Sequence, residues 1–471
     1  MMRSLYAGVS GLQNHQTRMD VVGNNLANVN TNGFKKGRVN FHDMISQNVQ
    51  GASRPTDELG GVNPKQVGLG MSIAAIDTVH TQGSLQLTGV MSDLAIVGEG
   101  FFIMQTGETS LYTRNGAFGL DEQGTLVNPA NGMRVQGWQA QIVDNVPTIN
   151  PSSSIGDLII PIGAKDPAAA TTNVRMACNL NKITPEIEET DGPRAIIAGR
   201  WTATIDIRDA FGGLHTLRMD FEKRPGEVNR WNCTVTVDPD VGGDGQTIVT
   251  DTTNTLIEVG PLGNNTDNTF IVEFDNMGTL SRVQDNAGDE VNQELLQVAV
   301  SFEVANTVPN PDGTPVRQNF LLDIGEVGSA EDSMTQYASA SSTKVFEQNG
   351  FGMGYLTSYR IDQSGVITGV FSNGNNRTLG QVAMATFLNP GGLEKQGENV
   401  YAVTPNSGIA RIDPAGIAGK GKINAGNLEM SNVDLAEQFT DMIVTQRGFQ
   451  ANSRTIQTAD QMLQELLTLK R

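Results

Sequence analysis

Apolar residues recur at seven-residue intervals at both ends of the chain. Leu5, Leu12, Met19 and Leu26 mark the N-terminal seam, and Leu435, Met442, Phe449, Ile456 and Leu463 mark the C-terminal one. A seven-residue apolar repeat turns one stripe of a helix toward a partner helix, the pattern of coiled-coil packing. Val9 and Val22 widen the first stripe to an ordinary core-facing face. This predicts a first helix over residues 3 to about 30, stopped by the polar run Asn28-Val29-Asn30-Thr31-Asn32-Gly33. The last helix is predicted from Ser431-Asn432 onward, with Asp434 as a capping residue. At about 38 residues it would reach about 57 Å and would need a partner along its length. The two ends therefore read as one paired shaft.

Between them the period changes. Residues 31–70 are weakly periodic and predict an extended linker with a short hairpin. From about 71 onward short strands alternate with turn residues: Leu94-Ala95-Ile96-Val97, Phe101-Phe102-Ile103-Met104, then an Asn115-Gly116 turn and a second turn at Asp121-Glu122-Gln123-Gly124. Ala168-Ala169-Ala170-Thr171-Thr172 reads as a connector into further strands at 201–208, 234–237 and 269–274. Met334 to Phe346 is polar and rich in Ser, Thr and Ala, after which strands resume at 356–361, 366–371 and 382–387. The expected fold class is mixed but mainly β, with long terminal α-helices pairing as a coiled-coil-like shaft. Its expected domains are 1–30 plus 431–471 (helical), 31–70 (linker), 71–167 plus 324–430 (a β-rich middle domain made from two chain segments) and 168–323 (an inserted outer β domain).

Composition narrows the function. The 471 residues contain 53 glycines and only 6% aromatics, in keeping with turn-rich β structure. A net charge of −19 argues against nucleic acid as a partner. No apolar run is long enough to insert in a membrane as a helix. Met1-Met2-Arg3-Ser4-Leu5-Tyr6 opens directly on amphipathic helix, so no cleaved secretory signal is expected. His15, His42, His80 and His215 are scattered without metal-ligand spacing. Gly98-Glu99-Gly100 has a superficial likeness to a dinucleotide loop, but Phe101-Phe102-Ile103 follows as strand where a helix should open. No cofactor, metal or catalytic set is expected. A glycosidase would need two facing carboxylates, and no such pair stands out among the 51 acids. The two cysteines, Cys178 and Cys233, read as buried small hydrophobes. Val174, Met176, Cys178 and Leu180 share one strand face, and Cys233 alternates with Trp231, Val235 and Val237.

Several stretches carry a family resemblance. Asn24-Asn25-Leu26-Ala27-Asn28-Val29-Asn30-Thr31-Asn32-Gly33-Phe34-Lys35 resembles the N-terminal signature of the bacterial flagellar axial proteins, the rod and hook subunits. Ser431-Asn432-Val433-Asp434-Leu435 and Met442 through Asn452 resemble their C-terminal counterpart. Gly98 through Phe102, Tyr112 through Phe118, Ser372-Asn373-Gly374 and Leu379 through Ala383 resemble the two halves of the family's middle domain. The large insert at 168–323 is similar to that of hook subunits. The resemblance implies a self-assembling helical tube whose paired terminal helices line a channel, working as a flexible universal joint for motility. It also implies export through the flagellar type III apparatus. The implied partners are other copies of itself, the rod, hook cap and hook–filament junction proteins and the export apparatus. The implied location is the hook–basal body, periplasmic in a spirochaete and otherwise extracellular. A distal rod or junction subunit, and an extracellular β-rich adhesin, are the alternatives.

One departure points further. Hook subunits usually carry a small residue, most often glycine, just before the Asn-Leu of the segment that here reads Cys178-Asn179-Leu180. A cysteine there, with Lys165 at the foot of the same domain, resembles the spirochaete hook proteins. In that group neighbouring subunits are joined through a lysinoalanine bond. The resemblance implies that Cys178 loses sulfide to give dehydroalanine, to which the amine of Lys165 on an adjacent subunit adds. Asn179 would assist by orienting or polarising the backbone beside Cys178.

Overall fold

The computed structural model describes residues 2–469 apart from 53, 56–59, 144–145, 188–197, 238–239, 242–247, 250–254, 260–267, 286–294, 304–316 and 418. The chain forms two compact units, one built from residues 1–163, 356–370 and 376–471 and the other from 164–355 and 371–375.

In the first unit, helix α1 (Met2–Ala27) and helix α2 (Leu435–Leu469) lie against each other. Asp434 caps α2, its carboxylate accepting the N–H groups of Ala436 at 2.8 Å and Glu437 at 3.3 Å. The helices run antiparallel: Gly8 faces Ile456, Gly11 faces Asn452, His15 faces Gly448, Arg18 bonds Asp441 at 2.9 Å and Asn25 bonds Gln438 at 3.0 Å. The approach is close. A Cβ on Gly11 would sit 2.4 Å from Asn452 Nδ2, and one on Gly448 would sit 2.8 Å from His15 Nε2.

This contact differs from the expected apolar zipper. The positions closed off within one chain are Gly8, Gly11, Val22, Asn25, Gln438, Thr445 and Ala459. Of the predicted seam, Leu5, Leu12, Met19, Leu26, Met442, Ile456 and Leu463 are half-buried, while Leu435 is 45% and Phe449 41% exposed. Small side chains let the backbones draw together, so the large apolar residues are displaced to the flanks. The result leaves Leu435, Phe439, Ile443, Phe449, Met462 and Leu466 facing outward along α2.

α1 ends at Ala27, and the Asn-rich run beyond it folds into turns, with Asn28 bonding back to the Asn24 carbonyl. Gly33 does adopt φ +69°, but its main service is steric: a Cβ there would lie 2.6 Å from the Asn115 backbone nitrogen. The strand Gly37–Asp43 then pairs with Met71–Thr78, and a short exposed hairpin pairs Ser46–Gln50 with Lys65–Gly68.

The β part of this unit interleaves early and late strands. One antiparallel sheet runs in the order Gly354–Ile361, Val366–Phe371, Asn376–Thr386, Arg134–Gln139, Phe101–Thr106, Thr109–Thr113, Val400–Ala402, Glu394–Gly397. Trp138 sits opposite Gln381 and Phe102 opposite Met384, while Leu94–Val97 pairs with Lys422–Ala425. Phe101, Tyr112, Phe387 and Tyr401 pack edge to face beneath. The predicted turn at Asp121–Gly124 is present, with Asp121 accepting from Gln123 and Thr125 and Gly124 at φ +79°. The predicted Asn115-Gly116 hairpin turn is not: Gly116 has no positive φ, and its carbonyl accepts the Leu94 N–H at 2.9 Å. Glycine is required there because the Leu94 carbonyl occupies the Cβ position.

The second unit holds two five-stranded sheets. One runs Thr255–Val259, Leu295–Glu303, Arg317–Glu326, Asn173–Asn179, Ser342–Gln348, and the other runs Arg200–Arg208, Leu214–Lys223, Arg230–Val237, Thr269–Phe274, Leu280–Asp285. They share one apolar core that includes Val174, Met176, Cys178, Phe221, Trp231, Cys233, Phe302 and Phe320. Part of the polar 334–346 stretch is strand rather than loop, since Ser342–Gln348 pairs antiparallel with Asn173–Asn179.

Gly116→Ala should lower unfolding stability by about 3 kcal/mol or more, because the backbone at Leu94 must shift. Gly119→Ala, where nothing lies within 4 Å, should change it by less than about 0.5 kcal/mol. Urea unfolding of both variants checks the contrast.

Candidate functional site

Two constellations bear on function, one in each unit. In the first unit the ends of α1 and α2 enter the β domain at a buried ionic knot. Glu429, in the strand Asn427–Glu429 just before α2, is fully buried. Its Oε1 accepts Lys35 Nζ at 2.6 Å and the Gly83 N–H at 2.9 Å, and its Oε2 accepts Arg114 at 3.3 Å. Its carbonyl accepts the Gly33 N–H at 2.7 Å. Lys35 also donates to the Thr81 carbonyl at 2.7 Å, and Arg114 donates to the Gly98 carbonyl at 2.8 Å. Burial pushes the Lys35 and Arg114 pKa values down, and the Glu429 carboxylate opposes that fall in both.

Asn25 and Asn432 complete the junction. Asn25 exchanges two hydrogen bonds with the Gly37 backbone, at 2.8 and 2.9 Å, while reaching Gln438 of α2. Asn432 accepts from the Lys36 N–H at 2.8 Å and donates to the Val79 carbonyl at 2.8 Å. Lys36 in turn pairs with Glu437 at 2.6 Å. The stretches 24–35 and 431–438 thus hold each other through their polar residues. Sequence reasoning missed Lys35, Arg114 and Glu429 because charges are normally read as surface. The only hint was that Lys35 and Arg114 lie inside otherwise uncharged motifs.

In the second unit Cys178 is the penultimate residue of Asn173–Asn179, with its side chain in the core and 4% exposed. Burial pushes its thiol pKa well up, which disfavours the thiolate in the folded chain. Cys233 is likewise buried and shifted up, chiefly by burial, and both cysteines are free. Lys165 lies exposed on the two-residue strand Lys165–Asp166, opposite Tyr355. Among the described residues it has no hydrogen bond or ion pair to Cys178.

Asn179 does not touch the Cys178 backbone with its side chain. Its Oδ1 accepts from Tyr337 N at 3.0 Å and Thr335 Oγ1 at 3.2 Å, and its Nδ2 donates to Ser339 Oγ at 2.9 Å. Asn179 therefore pins the 335–340 loop against the strand. The Cys178 carbonyl is instead met by Thr335, which the sequence did not flag. Its N–H donates to the Cys178 carbonyl at 2.8 Å, with its hydroxyl at 3.5 Å from the same oxygen. An N–H donor on a carbonyl stabilises negative charge at the adjacent Cα, should a base remove the proton there.

Comparison with known proteins agrees with the geometry. Four family models match in chain order. They are the flagella basal body rod protein (5–35), the flagellar hook protein FlgE/F/G D1 domain (95–166), the flagellar basal body protein FlaE D2 domain (179–351) and the flagellar basal body rod FlgEFG protein C-terminal (424–469). The chain is 54% identical to the flagellar hook protein FlgE of Treponema pallidum, with all of both chains covered. It is 52% identical to that of Borreliella burgdorferi over the full length of both. It is 32% identical to that of Salmonella typhimurium, covering 99% of this chain and all of the relative.

Glu429→Gln should cost about 3 kcal/mol or more of unfolding stability, since it leaves Lys35 and Arg114 buried without a counter-charge. Arg134→Gln, which breaks a solvent-exposed pair with Asp157, should cost less than about 1 kcal/mol. Equal losses in thermal or urea unfolding would show the knot to be energetically ordinary.

Proposed function

The chain belongs to the flagellar hook protein family, and on that premise we propose that it is the structural subunit of a hook, polymerising into a helical tube that works as a universal joint for motility. The observation that carries this is α2, which meets α1 through small and polar residues and leaves the large apolar side chains of Leu435, Phe439, Ile443, Phe449, Met462 and Leu466 exposed. Among the described residues nothing covers these side chains, whereas identical neighbours in a helical array would cover them. The terminal helices form the inner shaft in this reading, and residues 31–70 link it to the middle β domain. The partners are further copies of the chain, the rod, cap and junction proteins at either end, and the export apparatus. The location is the hook–basal body, and the spirochaete relatives favour a periplasmic one.

Within the polymer, neighbouring subunits become joined between Cys178 and Lys165. A base removes the Cys178 Cα proton, helped by Thr335 on the carbonyl. The Cβ–Sγ bond breaks with loss of hydrosulfide, leaving dehydroalanine. The neutral amine of Lys165 on the adjacent subunit adds to Cβ, and Cα takes back a proton. One hydrogen sulfide is lost per link, and no oxidant or reductant is needed. The buried, protonated thiol of Cys178 fits a reaction that waits for assembly, because the 335–340 loop held by Asn179 must yield before a second chain reaches the strand end.

One experiment tests both levels. Purified full-length chain is polymerised, imaged by electron microscopy, then boiled in detergent with reductant. Tubes and a high-mass ladder are expected from the wild type. Cys178→Ala and Lys165→Arg should form tubes without the ladder, and deletion of 1–30 and 431–471 should form neither. Absence of wild-type tubes would sink the hook reading, and tubes that dissolve wholly to monomer would sink the crosslink alone.

A further inference from the structure

Beside the Glu429 knot, within the first unit, lies a small cavity whose polar walls have unmet hydrogen-bonding capacity. It measures about 50 Å³ as space open to the centre of a water molecule, and it is lined by His80, Glu99, Gly100, Phe101, Arg114, Thr386, Phe387 and Pro390. That is room for one small ion or a few waters and too little for a sulfate or phosphate.

Arg114 is 4% exposed. One of its terminal nitrogens donates to Glu429 and the other to the Gly98 carbonyl, while its Nε–H has no partner among the described residues. The two ring nitrogens of His80 are likewise buried and make no well-aligned hydrogen bond among the described residues, the Pro390 backbone carbonyl being the one acceptor close enough to act on the ring. The ring is held by edge contacts to Phe101 at 5.6 Å and Tyr401 at 5.5 Å between centroids. Burial, followed by the positive charges of Lys35, Arg114 and Lys395, lowers the His80 pKa to about 4, against a smaller upward pull from the Pro390 backbone. At neutral pH the ring is therefore uncharged and offers one N–H donor.

The charges around the cavity do not balance. Lys35 and Arg114 are buried against the single carboxylate of Glu429, while Lys395 and Glu99 lie exposed and offset each other. One positive charge remains in a region largely shielded from water. A water molecule could accept the two N–H groups but would leave that charge in place. An anion meets both needs, and charge-assisted hydrogen bonds are the stronger kind.

We propose that this cavity binds a single monovalent anion of chloride size, held between the Arg114 Nε–H and a His80 N–H. Bound there, the ion supports the junction where both chain ends enter the β domain. It does so by neutralising the side of Arg114 that Glu429 does not reach. The stability of this unit then depends on halide concentration rather than on ionic strength alone.

The test uses the full-length chain at constant ionic strength, with potassium gluconate replaced by potassium chloride. Between about 1 and 150 mM chloride the unfolding midpoint of the first unit should rise by about 2 °C, and bromide should act alike. His80→Leu removes one donor and fills the space, and should abolish the rise. Glu99→Gln removes the competing negative charge and should enlarge it. Crystals soaked in bromide should show an anomalous peak within hydrogen-bonding distance of Arg114 Nε. Equal midpoints in chloride and gluconate, an unchanged rise in His80→Leu, or water without an anomalous peak would each overturn the site. If His80→Leu does not fold, the bromide peak in the wild type decides alone.

Discussion

The carboxylate of Glu429 is the interaction on which the rest of the first unit depends. It lies 394 residues from Lys35 and 315 from Arg114, yet touches both, and it also takes the Gly83 N–H. These contacts join the segment leaving α1, the loop at 81–83, the end of the strand at 109–113 and the approach to α2. Two cations and one anion without water cost desolvation free energy that apolar residues would not, so their value is positional rather than energetic. A hydrophobic plug could slide; a carboxylate gripped by an ammonium and a guanidinium fixes register and angle. For a chain whose two ends must leave the β domain together, that angle sets where the helices point.

The helix pair shows the complementary choice. Gly8, Gly11 and Gly448 bring α1 and α2 into close contact, with Asn452 and His15 seated over the glycines. Contact through small residues buries little apolar area, so the pair alone is weakly stabilised. The same economy leaves the larger side chains of α2 outward. A leucine zipper would have spent them on the intrachain contact and left a polar outer face. The sequence pattern of the helices is thus better matched to several neighbours than to one.

This explains what was legible in the sequence. The period of seven at Leu5–Leu26 and Leu435–Leu463 marked two helices correctly, because periodicity reports an apolar stripe. It could not say which neighbour covers the stripe, and Leu435 and Phe449 lie exposed in the single chain. The alternation at Val174, Met176 and Cys178 predicted burial, and all three lie in the core. Polar partnerships were opaque, since Lys35, Arg114 and Glu429 are distant in sequence and charge alone reads as surface. Gly116 was read as a hairpin turn because Asn-Gly usually is one. The crowding by the Leu94 carbonyl is a tertiary fact with no local signal.

The site at Cys178 carries the sharpest tension between burial and chemistry. A thiol in an apolar core is a poor acid, and none of the described residues brings an amine to it. Yet the same strand end has its carbonyl held by Thr335 and its loop held by Asn179, an arrangement of polar contacts at the border of an otherwise apolar sheet. The two facts are compatible if reactivity is conditional. A reactive cysteine open to solvent would be exposed to oxidation and to wrong partners before any neighbour arrived. One kept protonated behind a loop is protected until a second chain displaces that loop, and the carbonyl donors are already in place when it does. In the proposed crosslink, burial and carbonyl polarisation would act in sequence, the first protecting the monomer and the second assisting the polymer.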